Sequence, residues 1–241
     1  MDRVGVDGCP GGWIAVGSQA GEAWAAALYP DFAQLMAAVA ADAQVLVDIP
    51  IGLPAQEKRA CDRLARQHLT RLRGSSVFPV PARTALSAAD YASACDRNQA
   101  ALGVRIARQA WNIVPKIREV DAWLLAHDPQ QQRVRECHPE LAFWAMQGGK
   151  PMSHAKKTPE GAAQRLALLQ QRLPQAGALY DAWRSRYPRR QVAPDDLLDA
   201  LALAITAAYG QPLRSLPPQP QYDAAGLRME ITYGHWPQAG A

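Results

Sequence analysis

The sequence predicts an α/β fold built on a mixed β-sheet. Three short apolar runs at residues 3–7, 12–18 and 22–28 follow one another closely, and such runs fit an antiparallel meander of strands. A predicted helix over residues 32–41 then separates the meander from a continuous apolar run at 44–48. Because a helix between two strands is typical of a parallel crossover, the fourth strand is expected to lie parallel to the first.

Size and composition fit a folded protein outside the membrane. The chain has 241 residues, of which 49% are apolar, so it can form one large domain or two small ones. Its net charge of +4 permits a nucleic-acid partner without requiring one. The sequence has no window of about 18 uninterrupted apolar residues, so no membrane span is predicted. No signal peptide is visible and the four cysteines form no C-x-x-C pair, so we expect a cytoplasmic protein with reduced thiols.

A long helical segment interrupts the succession of strands. Residues 56–73 and 87–126 are predicted to be helical, the second stretch with a break near Pro115. Together they form a predicted α-helical insertion at about 54–130, which is expected to cap or face the substrate. The whole chain, residues 1–241, is predicted to be a single domain that carries this insertion.

A further strand, predicted at residues 133–137, begins the last part of the chain. The helices predicted after it cover residues 138–147, 159–173, 177–187 and 194–209. The proline-rich residues 212–220 are expected to form a loop, and residues 227–233 a last edge strand. Because the tail at 212–241 could extend a sheet edge or an interface, a homodimer is one expected arrangement.

Acidic residues stand at the ends of three predicted strands and on one late helix. Asp7 precedes a glycine-rich turn, Asp48 closes the fourth strand, and Glu136 lies near the end of the fifth. Neighbouring carboxyl ends of parallel strands meet at one edge of a sheet, so Asp7 and Asp48 are expected to lie side by side. Asp196 and Asp199 are three residues apart and share a face of the predicted helix.

A cluster of this kind is typical of a metal site. Carboxylates that lie close together repel one another unless a cation neutralises them. Mg²⁺ and Mn²⁺ prefer oxygen ligands, and two such ions about 4 Å apart can activate a water and stabilise the leaving oxygen of a phosphodiester. The pattern therefore predicts a metal-dependent phosphodiesterase.

Each acid also has a structural interpretation, which the sequence leaves open. A carboxylate can cap a turn or a helix, pair with a cation on the same strand, or stand in solvent. Asp48 could cap the turn that follows it, and Glu136 could pair with Arg133 or Arg135. Asp195 could stabilise the start of the helix, and Asp196 and Asp199 could be solvated surface acids.

Several ordered motifs resemble those of the domain-of-unknown-function 429 family, which is described as predicted RNase H-like nucleases. They span nearly the whole chain up to about residue 209. The motifs are VDGCPGGW at 6–13, DIPIGL at 48–53, SSVFPVPAR at 75–83, QAWNI at 109–113, KIREVD at 116–121, ECHPE at 136–140, KKT at 156–158 and DDLLDA at 195–200.

The resemblance implies an RNase H-like fold, with a five-stranded mixed sheet whose first three strands are antiparallel and which is flanked by helices. In nucleases of that fold, acids on the first strand, the fourth strand and the last helix bind the metal. Transferred to this sequence, the resemblance implies Mg²⁺ or Mn²⁺ ligands at Asp7, Asp48, Asp196 and Asp199, and DNA or RNA as the substrate. The Asp-x-x-Asp-Ala pattern is also similar to that of Holliday-junction resolvases.

The resemblance singles out further residues for roles near the substrate. Glu136 is expected to be catalytic, and His138 to act as a general acid or ligand, unless the imidazole only starts a helix. Phosphate contacts are expected from basic residues that could equally form a charged helix face or a solvated pair. These are Arg83, Lys116, Arg118, Lys156 and Lys157.

Two other functions compete with a nuclease. Phosphotransferases and ATPases of the actin and hexokinase kind also begin with a strand, an acid and a glycine-rich turn, although they duplicate the domain and this chain is too short for two copies. A non-catalytic nucleic-acid-binding module would use the basic helix predicted at 56–73. In such a module, clustered acids without metal would repel the phosphates.

Overall fold

A five-stranded mixed sheet forms the centre of the protein in the computed structural model, which describes residues 1–19, 22–128 and 133–237. Its strands are β1 (Arg3–Cys9), β2 (Gly12–Gln19), β3 (Ala23–Tyr29), β4 (Gln44–Val47) and β5 (Val134–Glu136). Their spatial order is β3-β2-β1-β4-β5. The first three strands are antiparallel, whereas β4 and β5 run parallel to β1. The predicted α/β fold with its mixed sheet is confirmed.

Helices flank the sheet and connect its strands. They are α1 (Phe32–Ala38), α2 (Ala60–Arg73), α3 (Arg83–Leu86), α4 (Tyr91–Leu102), α5 (Arg108–His127), α6 (Pro139–Met146), α7 (Pro159–Arg172), α8 (Ala176–Arg186) and α9 (Pro194–Tyr209). The carboxylate of Asp31 accepts a hydrogen bond from the Gln34 amide and caps α1, as its position before the helix predicts. Among the described residues, every helix is too short or too polar to cross a membrane.

Both faces of the sheet are covered. Trp13 and Ala15 of β2 belong to the apolar cluster that includes α1 and α5, whereas Ile14 and Val16 belong to the cluster that includes α7, α8 and α9. Successive side chains of a strand point to opposite faces, so the unbroken apolar run of β2 fits a strand that is buried on both sides. The sheet is therefore the middle layer between two sets of helices.

The helices α2 to α5 all lie between β4 and β5 in the chain. The predicted break near Pro115 is wrong, because α5 runs through that residue. The interruption instead follows α4, which ends at Gly103 in the left-handed conformation, with a φ of 71°. A proline removes only one hydrogen bond from a helix, and the buried Val114 and Ile117 hold α5 against the core on both sides of it. The expected end of the insertion, at about 130, lies outside the described residues.

The last strands form a separate two-stranded sheet. They are β6 (Arg214–Tyr222) and β7 (Arg228–Tyr233), which pair in antiparallel fashion. The strand predicted at 227–233 is confirmed, but the loop predicted at 212–220 is wrong. The pairing register is interrupted between Leu216 and Gln221, and the prolines of β6 fall in that interruption. A proline has no amide hydrogen to donate, so an unpaired stretch of an edge strand accommodates it.

Candidate metal centre

Asp7 is held at the end of β1 by a tight hairpin. Strands β1 and β2 stay paired up to Cys9 and Gly12, so Pro10 and Gly11 form the turn of the hairpin. Gly12 has a φ of 122°, and a Cβ atom there would overlap the carbonyl oxygen of Tyr29. Glycine is therefore required at this corner. The hairpin leaves the Asp7 side chain buried, with 7% of its surface exposed.

Asp48 lies beside Asp7 because the β1–β4 pairing continues one residue beyond β4. Val6 pairs with Val47 in the parallel register, and the Asp48 amide donates a hydrogen bond to the Val6 carbonyl at 2.9 Å. The side chain of Asp48 is partly buried. Asp7 and Asp48 thus lie side by side at one edge of the sheet, as the sequence predicts.

Asp199 completes the group from the opposite side. It lies on α9, which packs across β1 and β2, and only 1% of its surface is exposed. One carboxylate oxygen from each of Asp7, Asp48 and Asp199 lies within 4.8 Å of the others. We call these three residues the acidic triad.

The triad fits the coordination of a hard divalent cation. Oxygen ligands of Mg²⁺ lie about 2.1 Å from the ion, so two opposite ligands are about 4.2 Å apart. The oxygen atoms of the triad, within 4.8 Å of one another, need side-chain adjustments of only a fraction of an ångström to reach such a geometry. Carboxylate oxygens are also the ligand type that Mg²⁺ and Mn²⁺ prefer.

Burial and mutual repulsion make the triad costly without a cation. The pKa of Asp7 is raised well above its ordinary value, first by burial and then by the charges of Asp48 and Asp199. Burial also raises the pKa of Asp48 to about 7, with a further contribution from Asp199. A metal ion would remove this penalty by neutralising the carboxylates.

Lys156 forms an ion pair with the triad. Its Nζ lies 2.5 Å from Oδ2 of Asp199 and 3.7 Å from Oδ2 of Asp195. The charge of Asp199 is the main cause of the raised pKa of Lys156, and Asp7 and Asp48 add to it. The neighbouring Lys157 is exposed, lines the same cleft and has no salt-bridge partner among the described residues. The two lysines, both predicted to contact phosphate, therefore occupy different environments.

Asp196 does not join the triad. Its Oδ2 accepts a hydrogen bond from the backbone amide of Ala193 at 2.8 Å, at the start of α9. Burial raises its pKa to about 6. Asp196 therefore caps α9, the helix-start role that the sequence suggests for its neighbour Asp195. The alternative of a solvated surface acid is wrong for Asp199, which is only 1% exposed.

Glu136 is engaged in a buried ion pair. Arg59 donates hydrogen bonds to both of its carboxylate oxygens at 2.7 Å, and the Ile51 amide donates a third, also at 2.7 Å. Arg59 is also paired with Asp62. The structural alternative, a pair with Arg133 or Arg135, is wrong, because Glu136 pairs with Arg59 and Arg135 pairs with Glu230. Glu136 lines the cleft, but its oxygens are used in holding the Ile51 loop.

Both nitrogens of His138 have structural partners. Nδ1 accepts a hydrogen bond from the Glu140 amide at 3.2 Å and caps α6, and Nε2 lies 3.3 Å from the Ser76 carbonyl oxygen. Burial lowers the pKa of His138. These contacts fit a neutral imidazole that donates from Nε2 and anchors the turn at Ser76 to the start of α6.

A cleft of about 650 Å³ opens in front of the triad. The helical segment also lines it, with Ser75 and Ser76 in the turn after α2 and Gln109, Asn112 and Lys116 on α5. A volume of this size is typical of sites for small molecules or single nucleotides.

The predicted phosphate-binding residues are divided between the cleft and the scaffold. Lys116, Lys156 and Lys157 line the cleft. Lys116 is fixed there by a hydrogen bond of 2.5 Å from Nζ to the Gly12 carbonyl oxygen. Arg83 and Arg118 lie outside the cleft lining. The Arg83 guanidinium pairs with Asp121 and Asp223, and Arg118 donates to the carbonyl oxygens of Leu86 and Ala88.

Sequence analysis assigns no role to Glu140, although the structure places it in the cleft wall. Its Oε1 is paired with the buried Arg165, whereas its Oε2 has no hydrogen-bond partner among the described residues. The charge of Glu140 also contributes to the raised pKa of Asp48. The only signal in the sequence is the position of Glu140 directly after Pro139, where a helix begins.

Comparison with known proteins identifies a family rather than an activity. The family model described as Protein of unknown function (DUF429) matches residues 5–222, a span that contains the whole triad, Lys156 and Glu140. No curated protein and no solved structure matches the chain.

Proposed function

The chain belongs to the DUF429 family, and on that basis and the geometry of its cleft we propose that it is a metal-dependent nuclease that hydrolyses phosphodiester bonds of DNA or RNA. The acidic triad carries the proposal. Three carboxylates from β1, β4 and α9 converge at the bottom of a cleft, and their burial makes them unfavourable unless a cation is present. A convergence of this kind is expensive for a purely structural purpose.

Different residues of the cleft would have different roles in the reaction. Asp7, Asp48 and Asp199 would hold Mg²⁺ or Mn²⁺, which supplies a Lewis acid for the phosphoryl oxygen and lowers the pKa of a bound water. The ammonium of Lys157 is exposed at the cleft and can bind a backbone phosphate of the substrate. Asn112, which also lines the cleft, offers an amide that can donate to, or accept from, a sugar or base.

The phosphotransferase alternative has less support in the hairpin after β1. A phosphate loop needs backbone amides that are free to bind phosphate. The Gly11 amide donates instead to the Gln191 carbonyl oxygen at 2.8 Å, and the Lys116 side chain lies against Gly8. This turn is therefore used to support the metal centre rather than to hold a nucleotide.

The basic helix also gives limited support to a binding module without catalysis. Arg59, which precedes α2, is buried in its pair with Glu136. Arg66 donates to the Val77 carbonyl oxygen, and Arg73 donates to that of Met152. These three arginines of the basic segment are thus held by contacts within the protein.

A cleavage assay tests the proposed function. The wild-type protein is incubated with fluorescent single-stranded and duplex DNA and RNA, with Mn²⁺ or with EDTA. We expect cleavage only with the metal, and a loss of at least about 100-fold in Asp7→Asn and Asp48→Asn, because metal stabilisation of the transition state is worth several kcal/mol. Substrate binding should persist in both variants.

Asp42→Asn is the matched control, because Asp42 is an exposed acid in the turn before β4. It should cleave like the wild type. Cleavage that continues in EDTA and in the double variant Asp7→Asn/Asp48→Asn would overturn the proposal.

A further inference from the structure

We propose that the Lys156 ammonium is a built-in cation that takes the place of a second metal ion, so that the centre binds one divalent ion rather than two. This inference rests on the proposed function, since it concerns the same site. It differs from the two-metal arrangement that the clustered acids alone predict.

The position of the ammonium carries the inference. Its distance of 2.5 Å from Asp199 Oδ2 is that of a direct charge-assisted hydrogen bond. The side chain of Asp199 is only 2% exposed, so solvent does not compensate its charge. The side chain of Lys156 is 36% exposed, so its other side faces the cleft. The ammonium therefore stands between a triad ligand and the space for substrate, where a second ion would bind.

The backbone around Lys156 is fixed. The carbonyl oxygen of Ala155 accepts hydrogen bonds from both the amide and the hydroxyl of Thr158, each at 3.0 Å. The Thr158 hydroxyl also caps α7 by accepting from the Gly161 amide. Gly161 packs so closely on the Ala155 carbonyl that a Cβ atom there would overlap it. The backbone at Lys156 is thus held in place by contacts with the start of α7.

The charges of the centre balance with one metal ion. Three carboxylates form the triad, and one divalent cation together with one ammonium neutralises them. Two other acids of the cleft lie against buried arginines: Glu136 pairs with Arg59, which also pairs with Asp62, and Glu140 pairs with Arg165. Asp196, which could have been a fourth ligand, accepts from the Ala193 amide instead. A second divalent ion would therefore have to compete with the Lys156 ammonium for Asp199.

A buried acceptor near the triad indicates a ligand on the single ion. Glu140 is 5% exposed and lines the cleft, and its Oε2 has no hydrogen-bond partner among the residues that the structure describes. A buried acceptor of this kind is normally satisfied, often by a water. A water carried by an ion in the triad is a donor of the required type.

Calorimetric titration with Mn²⁺ tests the inference. The wild-type protein should bind one ion per chain, and Lys156→Met should bind two, because the neutral side chain of similar length leaves Asp199 free for a second ion. Lys156→Arg keeps the charge and should bind one. Lys157→Met, the neighbouring lysine on the same cleft, is the matched control and should also bind one.

The outcomes separate this inference from the proposed function. Two ions in the wild type, or one ion with unchanged affinity in Lys156→Met, would overturn the role of Lys156 and leave a metal-dependent nuclease intact. No binding of Mn²⁺ to the wild type would overturn both. The wild-type stoichiometry is decisive even if Lys156→Met does not fold.

Discussion

Gly5 of β1 and Ala200 of α9 are in backbone contact: a Cβ atom on Gly5 would overlap the Ala200 carbonyl oxygen. Asp7 follows Gly5 by two residues on β1, and Asp199 directly precedes Ala200 on α9. The close approach of strand and helix therefore brings two members of the triad together. Gly5, which is not itself an acid of the triad, thus helps to set the distance between Asp7 and Asp199.

Gly5→Ala should destabilise the protein by about 3 kcal/mol, because the methyl group meets rigid backbone rather than a movable side chain. Urea unfolding monitored by circular dichroism measures the change. Gly177→Ala in α8 is the control, since its Cβ would meet only the end of the Gln170 side chain. A gain of about 0.5–1 kcal/mol is expected there from helix propensity. Equal stability of Gly5→Ala and wild type would contradict the close packing.

Asp196→Ala should lower the free energy of unfolding by about 1 kcal/mol, because the Ala193 amide loses its acceptor. It should leave the affinity for Mn²⁺ unchanged. Asp199→Asn, one helical turn away, should lower that affinity by more than about 100-fold, the upper range for residues that only support metal ligands. If titrations gave the two variants the same loss, Asp196 would be a ligand after all.

Arg59→Met should cost about 3–5 kcal/mol, because it leaves the buried acids Glu136 and Asp62 without their cation. Thermal and urea unfolding measure the effect. Arg63→Met, on the exposed face of α2, removes the same charge and should have almost no effect. A comparable, small change in both variants would mean that the buried network does not stabilise the loop at Ile51.

The affinity for Mn²⁺ should rise by at least about tenfold per pH unit between pH 5 and pH 7, because the metal must displace the proton of Asp48, whose pKa is raised to about 7, and Asp7 also has a raised pKa. The stability of the metal-free protein should change in the opposite sense. The raised pKa means that the folded state holds a proton that the unfolded state releases, so stability falls as pH increases through this window. Titrations and melting curves at several pH values test both signs. An affinity that does not vary between pH 5 and pH 7 would contradict the ionisation behaviour of the triad.

The proximity of Asp7 and Asp48 follows from sequence pattern. A helix between two apolar strands predicts a parallel pair, and both acids come at the carboxyl ends of those strands. The helical period likewise places Asp196 and Asp199 on one face of α9. It cannot distinguish them, because Asp196 also stands at the third position of the helix, where a carboxylate can bond to the backbone amide of the residue that precedes it.

Pairings between distant residues were not accessible from the sequence. Arg59 and Glu136 are 77 residues apart, and their contact depends on how α2 returns to the sheet. The local alternatives at Arg133 and Arg135 are equally consistent with the pattern of charges. The strand β6 is a similar case, because its prolines predict a loop and only the pairing with β7 makes it a strand.

Anomalous diffraction from a crystal soaked with Mn²⁺ and a short phosphorothioate oligonucleotide tests the central claim most directly. The account predicts one strong peak about 2.1 Å from a carboxylate oxygen of each of Asp7, Asp48 and Asp199. A phosphate oxygen of the oligonucleotide should belong to the same coordination sphere, and the Lys156 ammonium should remain on Asp199. A cleft without a manganese peak, or an oligonucleotide phosphate bound away from the triad, would contradict it.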